Sequence, residues 1–173
     1  MNSLKNILFK ISNNYLEVKK EEFTGHNHAK FIRDSSKEII KLLPKYEKLF
    51  VKSSPGQHKT WADVPWIAFM DENITTSTQK GYYVVYLFSV NMKTVTLSLA
   101  QGITDIIKEF GTKVGYEILR GRAKLMVNRI PEGKNFFTTD IPNLYSEISN
   151  SHRPKGYEQS AGYSKTYDVA KLP

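Results

Sequence analysis

Apolar residues at Leu4, Ile7, Leu8, Ile11, Tyr15 and Val18 recur every three or four positions, the period of one helix face. Ser3, just ahead of them, carries the side-chain oxygen that an N-cap needs. A second pattern of this kind runs from about residue 29 to 43, with Ile32, Ile39, Ile40 and Leu43 inward and Pro44 as its stop. The period then changes to two. Residues 49–52 and 65–70 read as short strands, and 53–64 between them as a loop marked by Pro55-Gly56. Residues 71–80 are polar and turn-like. Residues 82–90 and 94–101 predict a hairpin around Asn91-Met92-Lys93. In its second strand Val95, Leu97 and Leu99 alternate with Thr94, Thr96 and Ser98, which predicts one buried face and one wet face.

Helical spacing returns after Gly102. Thr104 is placed to cap a helix through Phe110, which Gly111 breaks. A longer helix, 113–129, would bury Val114, Ile118, Leu119 and Leu125 and turn Arg120, Arg122, Lys124 and Arg129 outward. Ile141-Pro142 would open a short helix to about Ser149, and residues 163–169 form a weak strand. The resulting expectation is an α+β fold, a twisted, mostly antiparallel sheet flanked by helices in one domain over 1–173. Residues 1–45 would be a helical lead-in and 46–173 the sheet with its flanking helices.

Composition narrows the function. A chain of 173 residues suits one domain and can bury a real core. It has no Cys, so it holds neither a disulfide framework nor a Cys-based zinc site. No stretch approaches the ~20 apolar residues of a membrane span, and the N-terminus lacks the pattern of a signal peptide. The expectation is a cytoplasmic protein without a membrane partner. The net charge of +8 favours a polyanion, nucleic acid being the commonest, but it equally suits a merely soluble basic protein. The chain stops abruptly at Lys171-Leu172-Pro173 and reads as the front part of a longer protein.

Catalytic signals are missing. There is no phosphate-binding loop of the GxxxxGK[ST] type, no GxGxxG, no HExxH and no GxSxG. Asp71 and Glu72 are adjacent, so in a strand they point to opposite faces and make a poor metal pair. His26-Asn27-His28 lacks the further ligands of a metal site. The expectation is no catalytic residue, no metal and no cofactor.

A binding constellation remains. Tyr83, Val85 and Leu87 share one strand face, and Tyr82, Val84, Tyr86 and Phe88 share the other. Such a strand is buried on one side. On its other side it meets either a covering helix or a ligand, and aromatic walls suit a nucleobase. Trp66 follows Pro65 at a strand start, which fits either core or pocket. Gln57, His58 and Lys59 form a polar tip after Gly56, either solvated or able to enter a DNA groove. The basic face at 120–129 is either solvated or a phosphate contact. Lys52, Lys59 and Lys80 flank the pocket elements and, with Arg122, are the candidate phosphate ligands.

At these residues the sequence resembles the McrB-like N-terminal domain family of modified-cytosine-dependent restriction systems. The matching stretches are VKSSPGQHKTWADVPWIAFM, QKGYYVVYLFSV, LSLAQGIT, TTDIP and KGYEQS, in that order, across most of Val51 to Ser160. The resemblance implies a domain that flips 5-methyl- or 5-hydroxymethylcytosine out of double-stranded DNA into an aromatic pocket. Carried over residue by residue, the pocket would be Trp66, Tyr83, Leu87 and Tyr157. Gly56, Gln57, His58 and Trp61 would belong to the loop that enters the DNA and fills the gap. The best-known domain of the family has a Tyr plug in this loop; here that place falls at Gln57 or His58 in a loop one residue longer, so Gln57 would fill the gap through hydrogen bonds instead. Trp61 stands in the place of a Phe and is expected to pack under the loop. The resemblance also implies a GTPase motor and a nuclease, in other domains or subunits, as partners. The competing expectations are a metal-dependent nuclease, and an RNA or protein interaction module using the same aromatic surface.

Overall fold

The side chain of Ser3 accepts a hydrogen bond from the Asn6 N–H and starts helix α1, Leu4–Ser12. The computed structural model describes residues 3–43 and 46–173. The single helical stripe of the sequence is interrupted at Asn14, whose φ of 59° is left-handed, so that Tyr15–Val18 forms a separate short turn, α2. Helix α3, Asn27–Leu42, turns Ala29, Ile32, Ser35 and Ile39 inward. Ile40, expected inward, is 43% exposed, because a neighbour of Ile39 lies about 100° further round the helix. Pro44, the expected stop, lies outside the described residues.

Five strands follow: β1 (Leu49–Gln57), β2 (Thr60–Asp71), β3 (Tyr82–Phe88), β4 (Thr94–Gln101) and β5 (Tyr163–Asp168). They form one antiparallel sheet in the order β1-β2-β3-β4-β5. The fold is therefore α+β, as read from the sequence. The expected loop at 53–64 is instead the end of a long hairpin. The register slips between Ser54 and Gly56, and His58 and Lys59 make a two-residue turn, both left-handed (φ 52° and 62°). Tight hairpins favour such turns, but they usually announce themselves with Asn-Gly, which this sequence lacks.

Two layers cover the sheet. On one face α1–α3 bury Ile7, Leu8, Ile11, Tyr15 and Ile32 against Ile67, Phe88 and Val95. On the other, Ala68, Met70, Val85 and Val90 pack with Leu144 and with Tyr157 of α5 (Arg153–Ser160), and α4 (Thr104–Arg129) packs against α5 and β4. The face expected to be wet is the more deeply covered one: Thr96 and Ser98 are fully buried, whereas Leu97 and Leu99, expected inward on the other face, are only partly buried beside the exposed Val84. Gly111 breaks α4 as expected, with φ 73° and ψ 171°, but Ile103 rather than Thr104 is the N-cap residue. Beyond the break, Gly115, Leu119, Ala123, Met126 and Val127 face inward, while Val114 (47% exposed) and Leu125 (61%) face out. Two of these buried positions are the small Gly115 and Ala123, which a pattern of bulky apolar residues does not mark.

The expected helix at 141–149 is a connection with one 3-10 turn, Ser146–Ile148. Side chains take the N–H groups there: Leu144 N donates to the Glu158 carboxylate at 2.9 Å and Tyr145 N to Asn143 at 2.8 Å. Among the described residues, no helix is long and apolar enough to cross a membrane.

Candidate nucleic-acid interface

The pleat of β2 and β3 aims a row of side chains at the α4–α5 face. Trp66 pairs directly with Leu87 and Ala68 with Val85. On the far side of β3, Tyr83 pairs with Ala100. Tyr157 reaches the same place from α5, whose small, polar sequence gave no helical stripe to read. Together these groups line one cavity of about 910 Å3. Its floor is apolar: Leu87 is 2% exposed, Tyr83 8% and Ala100 2%. Trp66 and Tyr157 are half-buried, so the cavity has a mouth. Tyr83 donates its hydroxyl to the Thr78 carbonyl at 3.0 Å. Burial, with the nearby Tyr157 oxygen, pushes the Tyr83 phenol well up. Burial likewise raises Tyr157, against the pull of Arg153. Both rings stay neutral and keep their O–H groups at neutral pH.

The β1–β2 hairpin forms one lip. Gly56, with φ 138°, has no room for a side chain: a Cβ would stand 2.1 Å from the Thr60 carbonyl oxygen. Gln57, His58 and Lys59 are exposed at the tip, and the first two border the cavity mouth. The lead-in helices brace this hairpin from behind. The buried Tyr15 hydroxyl donates to the carbonyls of Pro55 (3.0 Å) and Ala62 (2.8 Å), one on each strand. Trp61 is 8% exposed, lies edge-on to Phe23 and Tyr15, and donates its indole N–H to the Glu21 carbonyl at 3.0 Å. It thus packs under the hairpin and not at its tip.

Charge surrounds the mouth. Lys52 lines the cavity; Lys80 is exposed one residue beyond the lining residue Gln79. Arg122 is exposed on α4 and does not line the cavity. Three cations that the sequence reading missed do: Lys19, Arg33 and Arg153. They come from α2, α3 and α5, far in sequence from the pocket strands, so only tertiary structure assembles them. Lys19 is paired with Asp63, and Arg33 stacks over Phe23, 4.9 Å from the ring centre. Burial pushes the Asp63 carboxyl up, but hydrogen bonds from Lys19 and Ser149, together with the Lys19 charge, outweigh it and hold the group below the usual carboxylate range.

The residues considered for metal chemistry have structural partners. Asp71 accepts from the Asn73 N–H at 2.8 Å in a turn. His26 bonds Glu21 and His28 bonds the Ile11 carbonyl, both at 3.0 Å. Among the described residues, no group of three or more His, Asp or Glu side chains is gathered as metal ligands.

An antiparallel sheet with an aromatic cleft between a projecting hairpin and a helical wall, edged by cations, defines an α+β binding domain. The sequence matches the family model described as MrcB-like, N-terminal domain (the McrB-like N-terminal domain), over residues 10–173, and the chain belongs to that family. It is thereby a DNA-binding specificity domain of a restriction system. A search of curated proteins found no match.

Proposed function

We propose that this domain reads modified cytosine, 5-methyl or 5-hydroxymethyl, in double-stranded DNA by flipping the base into the cleft. One observation carries the reading: Trp66, Tyr83, Leu87 and Tyr157, spread over ninety-odd positions, line a single cavity whose lining also includes Arg33, Lys52 and Arg153. Flipping costs a few kcal/mol of lost stacking and pairing, and a pocket of aromatic walls is what returns it. Trp66 and Tyr157 are the walls, and Leu87 and Tyr83 the floor. The hairpin tip enters the duplex with Gln57 and His58 in the vacated space, Gly56 permits the tight turn behind them, and Trp61 steadies its base. Lys52, Lys59 and Lys80 contact phosphates, and the cleft residues Arg33 and Arg153 join them. Arg122, on the exposed face of α4 and outside the cleft, is not among these contacts.

Residues 1–173 act as one reading unit, with 1–45 as its helical lead-in, from which Tyr15 and Glu21 brace the hairpin. Cleavage and GTP hydrolysis belong to a nuclease and a GTPase motor in other domains or subunits, in the cytoplasm. Competition binding tests the reading: a duplex with one 5-methylcytosine should displace a labelled modified duplex at least tenfold better than an unmodified duplex or single-stranded RNA. Equal competition by RNA would favour a general aromatic interaction module. Metal-dependent cutting abolished by changing Asp71 or Glu72 would make the chain a nuclease.

A further inference from the structure

Among the described residues that line the cleft, Asp63 is the one acidic side chain. A carboxylate there opposes phosphate binding, so its presence calls for a role other than touching the backbone of DNA. Its partners supply one. Asp63 stands on β2, in the hairpin; one carboxylate oxygen pairs with Lys19 at the end of α2, and the other accepts from the Ser149 hydroxyl. Ser149 Oγ accepts from Ser151 N at 3.0 Å, and Ser151 Oγ accepts from Arg153 N at 3.2 Å, the first residue of α5. Tyr157 stands one turn further along that helix. An unbroken line of hydrogen bonds therefore joins the lead-in helices, the hairpin and the helix that carries the Tyr157 wall.

The rest of α5 is fastened independently. Glu158, 3% exposed, holds Leu144 N, Ser146 Oγ at 2.8 Å and Lys155 Nζ at 3.1 Å. Arg120 donates to the Ala161 carbonyl at 3.0 Å, and Tyr116 to the His152 carbonyl at 2.7 Å. Loss of the Asp63 link would thus loosen one wall of the cleft without unfolding the domain.

We infer that Asp63 is a positioning residue that locks the hairpin to the Tyr157 wall, so that the groove-entering tip and the base pocket move as one body. The inference rests on the base-reading proposal and deepens it: Asp63 sets the preference for a modified base, not the affinity for DNA in general. Two variants separate this from a merely structural role. Asp63→Ala removes a negative charge and frees Lys19, so affinity for unmodified duplex should stay level or rise while the preference for the 5-methylcytosine duplex falls about five- to tenfold. Ser149→Ala leaves the charge alone and breaks only the link to α5; it should lower the preference similarly with unmodified binding and its salt dependence unchanged. Asp63→Glu, which keeps the charge, should recover part of the preference. Preference retained in both alanine variants overturns the inference, as does equal weakening on both DNAs with a lowered melting temperature. A wild-type chain without any preference would instead sink the base reading, and this inference with it.

Discussion

Trp66 lies directly opposite Leu87 in the β2–β3 register, so the indole and the isobutyl group stand side by side on one face of the sheet. One makes a wall and the other the floor of the same cleft, and the antiparallel register fixes their separation. Tyr157 then needs only to come down from α5 to complete a slot. In the proposed account the base lies in that slot, in contact with rings from two different layers of the fold.

Trp66→Ala and Tyr157→Ala should therefore each lower the affinity for modified duplex about tenfold or more, since stacking is worth roughly 1–3 kcal/mol per base. Affinity for unmodified duplex should change little. Fluorescence anisotropy titrations with matched duplexes measure both. Equal losses on the two duplexes would mean that these rings support DNA binding without reading the base.

Lys52→Ala should weaken binding to modified and unmodified DNA alike and reduce the slope of log K against log salt by about one phosphate's share. Arg122→Ala, on the exposed face of α4 and outside the cleft, should leave the slope unchanged. A salt titration of the two variants beside the wild type decides the matter.

Gly56→Ala places a Cβ 2.1 Å from the Thr60 carbonyl oxygen and 2.7 Å from the Ala62 nitrogen, both backbone atoms of the opposing strand. Neither can yield without opening the hairpin. The expected cost is about 2 kcal/mol, a melting temperature lower by roughly 4–8 °C, with DNA binding impaired on every duplex. Calorimetry alongside binding would reveal it.

His28, in the first turn of α3, is partly buried against α1, and burial lowers its pKa below the ordinary histidine value despite its bond to the Ile11 carbonyl. The unfolded chain then binds a proton more readily than the folded one. Its neutral form stabilises the fold above about pH 6.5, and that stability is lost as pH falls toward the lower folded pKa. Melting curves at pH 7.5 and 5.5 should show a smaller drop for His28→Gln than for the wild type. An identical drop would mean that another group carries the pH dependence.

How much of this was legible in the sequence depends on the range of the physics involved. Alternation along β3 separated Tyr83 and Leu87 from Tyr86 and Phe88, and the opposing covers of the sheet keep them apart. Gly111 as a break and Ser3 as a cap are local effects and could be read directly. The hairpin at 53–64 was hidden because His58-Lys59 adopts a turn its residues seldom prefer, held by Tyr15 from forty positions away. Val114 and Leu125 have apolar bulk but face outward, whereas the small Gly115 and Ala123 lie on the buried face, where hydropathy gives little signal. Helix α5 has no apolar stripe, and the part of Asp63 depends on Lys19 and Ser149, neither close to it in sequence. The four pocket positions were named through family resemblance, with alternation supplying two of them; their meeting in one cavity is a matter of tertiary structure.

The most direct test is a crystal structure of the chain bound to a duplex with a single 5-methylcytosine. The account predicts that the modified base is out of the helix, between Trp66 and Tyr157 and above Leu87, with the hairpin tip in the space it left. A base still stacked within the duplex, with the cleft empty or turned away from DNA, would contradict it.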